Sequence, residues 1–251
     1  MQISAWIDRR FGEAIESVLA RIEAQEHRRF LKSHLPLDCL PFYDEVKYIH
    51  VARDGRDACM SLHNHGTAHS AQVLAEFDKI GLEDETIGHP FPRLPDDPAE
   101  FFHHWITAEP FGNGGGPILS FFQFQRTWWE ARRRSNVLFV HFNDLKADLS
   151  GEMRRIADFL GISVPEDMWP ELVAMAGLDA MRRDGEALMS AAARLSQGGG
   201  QRFFFKGTNE RWRGIFWDED LALYSTTVQA MLPPECAKWV ASGRLESGDP
   251  A

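Results

Sequence analysis

Two side chains with acid–base and charge-stabilising chemistry lie two residues apart near the start of the chain. Lys32 and His34 stand in "RRFLKSHLPLDCLPF", just ahead of Leu35-Pro36. Proline fixes its own φ and favours extended geometry in the residue before it, so both side chains are predicted to lie on one face of an extended segment. An ammonium beside an imidazole suits proton removal with stabilisation of developing negative charge. For this stretch alone, an exposed edge with solvated charges is the commoner explanation.

A second set of polar side chains is suited to an anion. Arg53 follows the strand-like run "VKYIHVA" (46–52), and Ser61 lies eight residues further on, in the helix that the next turn begins. Anionic ligands of open α/β sheets bind at the carboxyl ends of the strands, beside helix N-termini. An arginine and a hydroxyl at that end suit a phosphate. An ion pair of Arg53 with Asp57, with Ser61 on the helix surface, explains the same residues equally well.

A third group is a basic loop. The stretch "FFFKGTNERWRGIF" (203–216) places Lys206, Arg211 and Arg213 around Gly207. Exposed backbone amides and cations in such a loop can close over an anion. A solvated loop held by its aromatic residues is the alternative.

Alternating strands and helices must position these groups. The runs 46–52 and "NVLFVHF" (136–142) are predicted to be buried strands, and a helix is predicted from near Pro117 to the cluster Arg132–Arg134. Apolar stripes and caps predict three further helices: 11–24, from the N-cap Asp148 to Gly161, and 218–231, which stops at Pro233-Pro234. Turn residues predict loops over 82–98 and 196–212. The tail after Ser242 is predicted to be frayed. Such alternation predicts an α/β fold with a parallel sheet flanked by helices, in one domain over residues 1–251.

Composition narrows the classes of protein. The 251 residues carry 44% hydrophobic and 25% charged side chains, which is ordinary for a globular domain. A net charge of −10 argues against nucleic-acid and anionic-membrane partners. No apolar run is long enough to span a bilayer, and the charged N-terminal residues do not fit a signal peptide, so a soluble, cytoplasmic protein is expected. The three cysteines fit neither a disulfide framework nor a zinc site. Composition leaves the oligomeric state open.

Four segments, in order, resemble the sulfotransferases that use 3′-phosphoadenosine 5′-phosphosulfate (PAPS), of the cytosolic and bacterial aryl or alcohol type. "LKSHLPLDCLP" is similar to that family's "KTHLP" segment, and "YIHVARDGRDACMSLHNH" to its 3′-phosphate motif. "VLFVHFNDLKAD…IADFLGI" resembles its "YEDLK" strand and helix, and "FFKGTNERWRGIF" its C-terminal "RKG…W…F" loop. Four motifs in the right order are far more specific than any one of them. The resemblance implies a P-loop-like α/β fold and sulfuryl transfer to a hydroxyl or amine of a small-molecule acceptor.

The resemblance also implies residue roles. His34 would be the general base for the acceptor hydroxyl, and Lys32 would stabilise charge on the phosphosulfate during transfer. The 3′-phosphate would be held by Arg53 and Ser61, together with Lys206 and the amide of Gly207. PAPS is the implied co-substrate, and no metal is required.

This sequence departs from the family pattern in three places. Phe142 stands where the family usually has an adenine-side tyrosine, and Phe205 replaces the arginine of the "RKG" triplet. Only 31 residues precede Lys32, and none of them resembles the family's phosphosulfate loop "PKSGTTW". The sequence is therefore expected to be a family member that is incomplete at its N-terminus, either because its recorded start is internal or because it is truncated and degenerate.

Other functions fit the sequence less well than sulfuryl transfer. The main alternative is a truncated, non-catalytic protein that binds 3′-phosphoadenosine nucleotides. A kinase or ATPase is disfavoured because "GNGGGP" (112–117) lacks the lysine and hydroxyl of a P-loop. The histidines of "HNHGTAH" and the pair His103-His104 suggest zinc only weakly, without carboxylate or thiolate neighbours. Aromatic residues suit either an apolar acceptor pocket or, more commonly, the core: Phe101, Phe102, Trp105, Phe121, Phe122 and Trp128.

Overall fold

A computed structural model describes residues 4–7, 14–107, 120–188 and 197–250 of the chain. The elements in chain order are β1 (Ser4–Trp6), α1 (Ile15–Glu23), β2 (Phe30–Lys32), β3 (Tyr48–Ala52), α2 (Gly55–Gly66), α3 (Ala71–Glu83), α4 (Pro98–Thr107), α5 (Phe121–Glu130), β4 (Val137–His141), α6 (Phe142–Ala147), α7 (Leu149–Leu160), α8 (Trp169–Met175), α9 (Leu178–Leu188), α10 (Gly199–Phe203), α11 (Asp218–Met231), α12 (Pro234–Ser242) and α13 (Arg244–Ser247). The predicted α/β class, with parallel strands flanked by helices, is confirmed.

The strands form two parallel pairs. β3 pairs with β4 in a register that places Tyr48 opposite Val137 and Ala52 opposite His141. β1 pairs with β2, with Trp6 opposite Lys32. Parallel pairing aligns the carboxyl ends of β3 and β4, so the residues that follow these two strands lie at one edge.

Local signals in the sequence set several helix boundaries. The Asp148 carboxylate accepts a hydrogen bond from the Gly151 amide at 2.8 Å and caps α7, which ends at Gly161 with a φ of 68°. Both boundaries match the prediction. Ser120 caps α5 through a bond from the Gln123 amide at 3.3 Å, whereas the start predicted near Pro117 lies outside the described residues. The stretch predicted as loop over 196–212 contains the short helix α10.

Aromatic side chains form the centre of the core around β3 and β4. Of the six aromatics that suited either a pocket or the core, five are buried and the sixth packs against them: Phe101, Phe102, Trp105, Phe122 and Trp128, with Phe121 alongside. His50 of β3 is buried against the rings of Trp128 and Phe139 and hydrogen-bonds through Nε2 to Gln125 Oε1 at 2.9 Å. Burial lowers the pKa of His50 to about 4.

The C-terminal segment differs from the predicted frayed tail. α13 begins where the buried carboxylate of Asp144 accepts bonds from the Arg244 amide at 2.7 Å and the Leu245 amide at 3.0 Å. Glu152, which is also buried, pairs with the guanidinium groups of Arg155 and Arg244. Two buried carboxylates therefore hold this segment on α6 and α7, a long-range arrangement that the polar local sequence does not reveal.

Several apolar side chains of β2 and β3 are exposed. All three residues of β2 are exposed, and Val51 of β3 is 58% exposed while its neighbour Ala52 is buried. Strands of parallel sheets are usually covered on both faces, so these apolar side chains form an uncovered surface. None of the described helices has the length and apolar character needed to cross a bilayer.

Candidate active site

A buried carboxylate fastens the basic loop to α2. Asp57, on the first turn of α2, accepts hydrogen bonds from the Glu210 amide at 2.9 Å and the Arg211 amide at 3.0 Å. Its side chain is almost completely buried. Charge-assisted bonds to backbone amides are strong, so Asp57 fixes the loop relative to the helix.

Arg53 joins the end of β3 to the same loop. Its Nη2 donates to the Thr208 carbonyl at 2.7 Å and to Asn209 Oδ1 at 3.2 Å, whereas its distance to Asp57 Oδ1 is 3.9 Å. The simple ion pair with Asp57 is thus the weaker contact. The Nε atom of Arg53 is buried and has no hydrogen-bond partner among the described residues. Burial lowers the pKa of this guanidinium, an effect that the Asp57 charge opposes.

The residues that follow β4 complete this edge. Phe142 begins α6, and the guanidinium carbon of Arg53 lies 4.2 Å from the centre of its ring. Asn143 accepts a bond from Asn209 Nδ2 at 2.9 Å. The structure therefore brings together the ends of two parallel strands and the basic loop, as the sequence placed them.

The start of α2 differs from the expectation that its free amides attract an anion. Asp54 is the N-cap, and its carboxylate accepts from the Arg56 amide at 2.9 Å and from Arg56 Nη2 at 2.7 Å. A side-chain anion already occupies the helix N-terminus. Ser61 lies on the same helix and is exposed.

Gly207 is required by both conformation and space. Its φ of 61° lies in the left-handed region, and a Cβ atom there would come within 2.5 Å of Leu178 Cδ2. Next to it, the exposed Lys206 ammonium lies 5.4 Å from the Phe205 ring centre. Arg182 of α9 supports this turn by donating to the carbonyls of Phe204, at 2.9 Å, and Phe205.

Lys32 and His34 lie on the other part of the site. Both are exposed, Lys32 as the last residue of β2. The segment after them packs on α5, because Trp128 Nε1 donates to the Leu35 carbonyl at 3.4 Å and Leu37 N donates to Thr127 Oγ1 at 3.0 Å. These bonds hold the chain that follows the pair.

The C-terminal end of α2 faces this pair. Burial lowers the pKa of His65, and the nearby charges of His69, Lys32 and His34 lower it further. The His65 ring lies 5.4 Å from that of Phe203, edge to face. His65 thus connects the Lys32 and His34 side of the site with the start of the aromatic stretch that leads into the basic loop.

The histidines do not form a metal cluster in the part of the chain that the structure describes. No group of three His, Cys, Asp or Glu side chains there is arranged to hold a metal ion. His63 Nε2 is instead bonded to the Pro95 carbonyl at 2.9 Å, and His103 Nε2 lies 2.9 Å from Asp220 Oδ1.

Three residues of this site were missed by sequence reasoning as functional positions. The sequence suggests Asp57 only as an ion-pair partner of Arg53 and indicates no role for Asn143 or Asn209. A signal for Asp57 is its position on the first turn of α2, four residues after Arg53, to which its side chain comes within 3.9 Å.

Comparisons with known proteins identify similar sequences and structures. The sulfotransferase domain family model matches residues 2–232. A glycolipid sulfotransferase of Mycobacterium tuberculosis is 32% identical over 261 residues, which cover 99% of this chain and 79% of that protein. Sulfotransferase 1A1 of Rattus norvegicus is 26% identical over 206 residues, covering 80% of this chain and 62% of the relative.

Solved structures share the fold. A retinol dehydratase in complex with androsterone and the inactive cofactor PAP superposes with a TM-score of 0.63 at 24% identity, over 88% of this chain and 59% of that one. Mouse sulfotransferase SULT7A1 complexed with PAP gives a TM-score of 0.65 at 18% identity, over 90% of this chain and 73% of that one.

Proposed function

Because this chain belongs to the family of PAPS-dependent sulfotransferases, we propose that it transfers a sulfuryl group from PAPS to a hydroxyl of a small-molecule acceptor, through the residues described above. One observation carries the assignment of the nucleotide side: Arg53 and the loop from Lys206 to Arg211 are fastened together at the carboxyl ends of β3 and β4. This is the edge at which open α/β sheets bind their ligands.

The nucleotide side fits a phosphate. The buried Nε of Arg53 lacks a partner among the described residues, and the exposed Lys206 ammonium lies 5.4 Å from the Phe205 ring centre in the basic loop. Both groups would hold the 3′-phosphate, with the Gly207 amide and the Ser61 hydroxyl. A buried donor without an acceptor is costly unless a ligand satisfies it, so the orphaned Nε supports this role.

The acceptor side supplies the chemistry of transfer. His34 would accept the proton of the acceptor hydroxyl, and the Lys32 ammonium would stabilise the charge that develops on the phosphate oxygen when the sulfuryl group leaves. The ring of Phe142 would lie beside the adenine of the nucleotide.

The acceptor class follows from chemistry and from one relative. A glycolipid sulfotransferase matches this chain at 32% identity, which makes a sugar hydroxyl the first acceptor to test beside phenols and simple alcohols. An amine acceptor is the less favoured form of the same reaction.

His34→Ala tests the assignment. Turnover should fall roughly a hundredfold or more, because a general base acts on the acceptor, while affinity for adenosine 3′,5′-bisphosphate (PAP) should stay unchanged. Transfer of labelled sulfate to an acceptor panel measures the first quantity, and titration calorimetry the second. Parental kcat in the variant across neutral pH would contradict the role of His34.

A nucleotide-binding protein without turnover is the second candidate. The full exposure of β2, which carries Lys32, favours it, because transfer requires an environment that excludes water. PAP binding with no transfer to any acceptor would support this candidate and reject the first.

A further inference from the structure

The phosphate side of the site carries an excess of positive charge. Arg53, Lys206 and Arg211 contribute three positive charges, and Asp57 contributes one negative charge, which leaves two positive charges. The adjacent carboxylates do not offset them. Asp54 pairs with Arg56 at 2.7 Å, and Glu210 pairs with Arg213 at 2.6 Å. Each of these two ion pairs is neutral.

Arg211 is, like Lys206, a cation of this cluster whose donors are available. Its guanidinium carbon lies 4.7 Å from the centre of the Phe205 ring, and its N–H groups hydrogen-bond to no residue in the described part of the chain. Its backbone amide is held by Asp57 at 3.0 Å, so the stem starts from a fixed point. A guanidinium in contact with a ring face keeps its in-plane donors free for a ligand.

Two neighbouring arginines are committed elsewhere. Arg182 donates to the carbonyls of Phe204 and Phe205, and Arg183 pairs with Asp184 at 3.3 Å. Neither has the combination of a fixed backbone and unused donors that Arg211 shows.

We propose that Arg211 is a donor to the 3′-phosphate of the nucleotide, and that it supplies the positive charge that Phe205 cannot. This inference rests on the proposed function, because it takes the nucleotide to be one with a 3′-phosphate. A phosphate monoester carries a charge of about −1.5 to −2 at pH 7, which is opposite in sign to the net charge of the cluster. Phe205 acts as the platform that orients the Arg211 guanidinium.

The test combines two ligands with two arginine variants of the full chain. PAP and adenosine 5′-monophosphate differ by the 3′-phosphate, and their dissociation constants are measured by titration calorimetry. Arg211→Ala should weaken PAP roughly ten- to hundredfold, since a charge-assisted hydrogen bond is lost, and should change the monophosphate affinity less than about threefold. Arg213→Ala is the matched control: its guanidinium pairs with Glu210, and neither ligand affinity should change beyond about threefold.

Other outcomes overturn the inference. An equal loss for both ligands would show that Arg211 acts through loop position or general charge, and no loss would show that it is not a donor. Equal affinity of the parent chain for both ligands would also reject it. Arg211→Gln, which keeps the stem over Phe205 and removes the charge, should lose at least about tenfold for PAP and replaces the alanine variant if that one fails to fold.

The readout separates this inference from the proposed reaction. A parent chain that discriminates PAP from the monophosphate through Arg211, yet transfers no sulfuryl group, would reject the reaction and keep the Arg211 assignment. A parent chain that transfers the group, with unchanged PAP affinity in Arg211→Ala, would reject the assignment alone.

Discussion

The loop from Lys206 to Arg211 and the strand β2 are supported in different ways. The loop is bonded to α2 through Asp57, to the end of β3 through Arg53 and to α6 through Asn209. All of β2 is exposed, and its described backbone pairing is with β1 alone. The buried carboxylate of Asp57 and the long-range bonds fix the position of the loop, whereas the segment that follows Lys32 and His34 is held by its packing on α5.

The largest effect on nucleotide affinity is expected when a methyl group is added to the loop at Gly207. Gly207→Ala combines a left-handed φ of 61° with a clash of 2.5 Å against Leu178. The combined cost of strain and overpacking is on the order of 3 kcal/mol, so PAP affinity should fall roughly a hundredfold. Calorimetry measures the affinity, and thermal melting reports whether the chain still folds.

Gly214→Ala is the control for that experiment. Gly214 has a φ of 75°, but nothing lies within 4 Å of the position where a Cβ would be. It should cost about 1 kcal/mol of stability and leave PAP affinity within about twofold. Equal loss of affinity in the two variants would show that the close approach to Leu178 does not shape the phosphate side.

The second prediction concerns the buried His50 of β3 and the pH dependence of stability. Burial lowers the pKa of His50 from 6.5 to about 4, so the unfolded chain takes up a proton below about pH 6.5 while the folded chain does so only near pH 4. Stability should therefore fall as the pH falls through this window. The contribution of His50 is roughly 2 kcal/mol between pH 7 and pH 5.

Urea unfolding at several pH values measures this contribution. His50→Gln keeps a donor for Gln125 but does not titrate, so the variant should lose the corresponding part of the slope. An unchanged slope would mean that His50 is no more protected from protonation in the folded chain than in the unfolded one.

The smallest effect on stability is expected from a substitution at Val51, an exposed residue of β3. Val51→Lys replaces an apolar side chain that is 58% exposed on β3, and should change the free energy of unfolding by less than about 0.5 kcal/mol. Self-association should nevertheless decrease, because a lysine on an uncovered strand opposes pairing with another chain. Sedimentation velocity measures it, and Val46→Lys, at an exposed valine outside the strand, is the control. Unchanged association in Val51→Lys would show that this surface is not where chains meet.

The sequence predicted the parts of the fold that depend on neighbouring residues. Asp148 and Gly161 mark the ends of α7 because a cap and a left-handed glycine act within a few residues. The β4 bounds, Val137–His141, lie within the predicted run 136–142 because a buried strand is a short apolar segment.

The sequence did not predict the parts that depend on distant partners. The bond from the Arg211 amide to Asp57 joins residues 154 positions apart, and nothing local to either residue indicates it. The same reason explains the incorrect frayed tail, since Arg244 is held by Asp144 and Glu152 from two other helices. The roles of Lys32, His34 and the phosphate donors remain predictions, of which the variants above test those of His34, Gly207 and Arg211.

The side chain of Asn143 hydrogen-bonds both to the basic loop and to the C-terminal end of α12. Its carbonyl accepts from Asn209 of the basic loop, and its amide donates to the Ser242 carbonyl at 3.3 Å, at the end of α12. One amide group is therefore shared by the loop and the last helices. Filling the loop with an anion should slow hydrogen–deuterium exchange at the Arg244 and Leu245 amides, so that the end of the chain reports on nucleotide occupancy without touching the ligand.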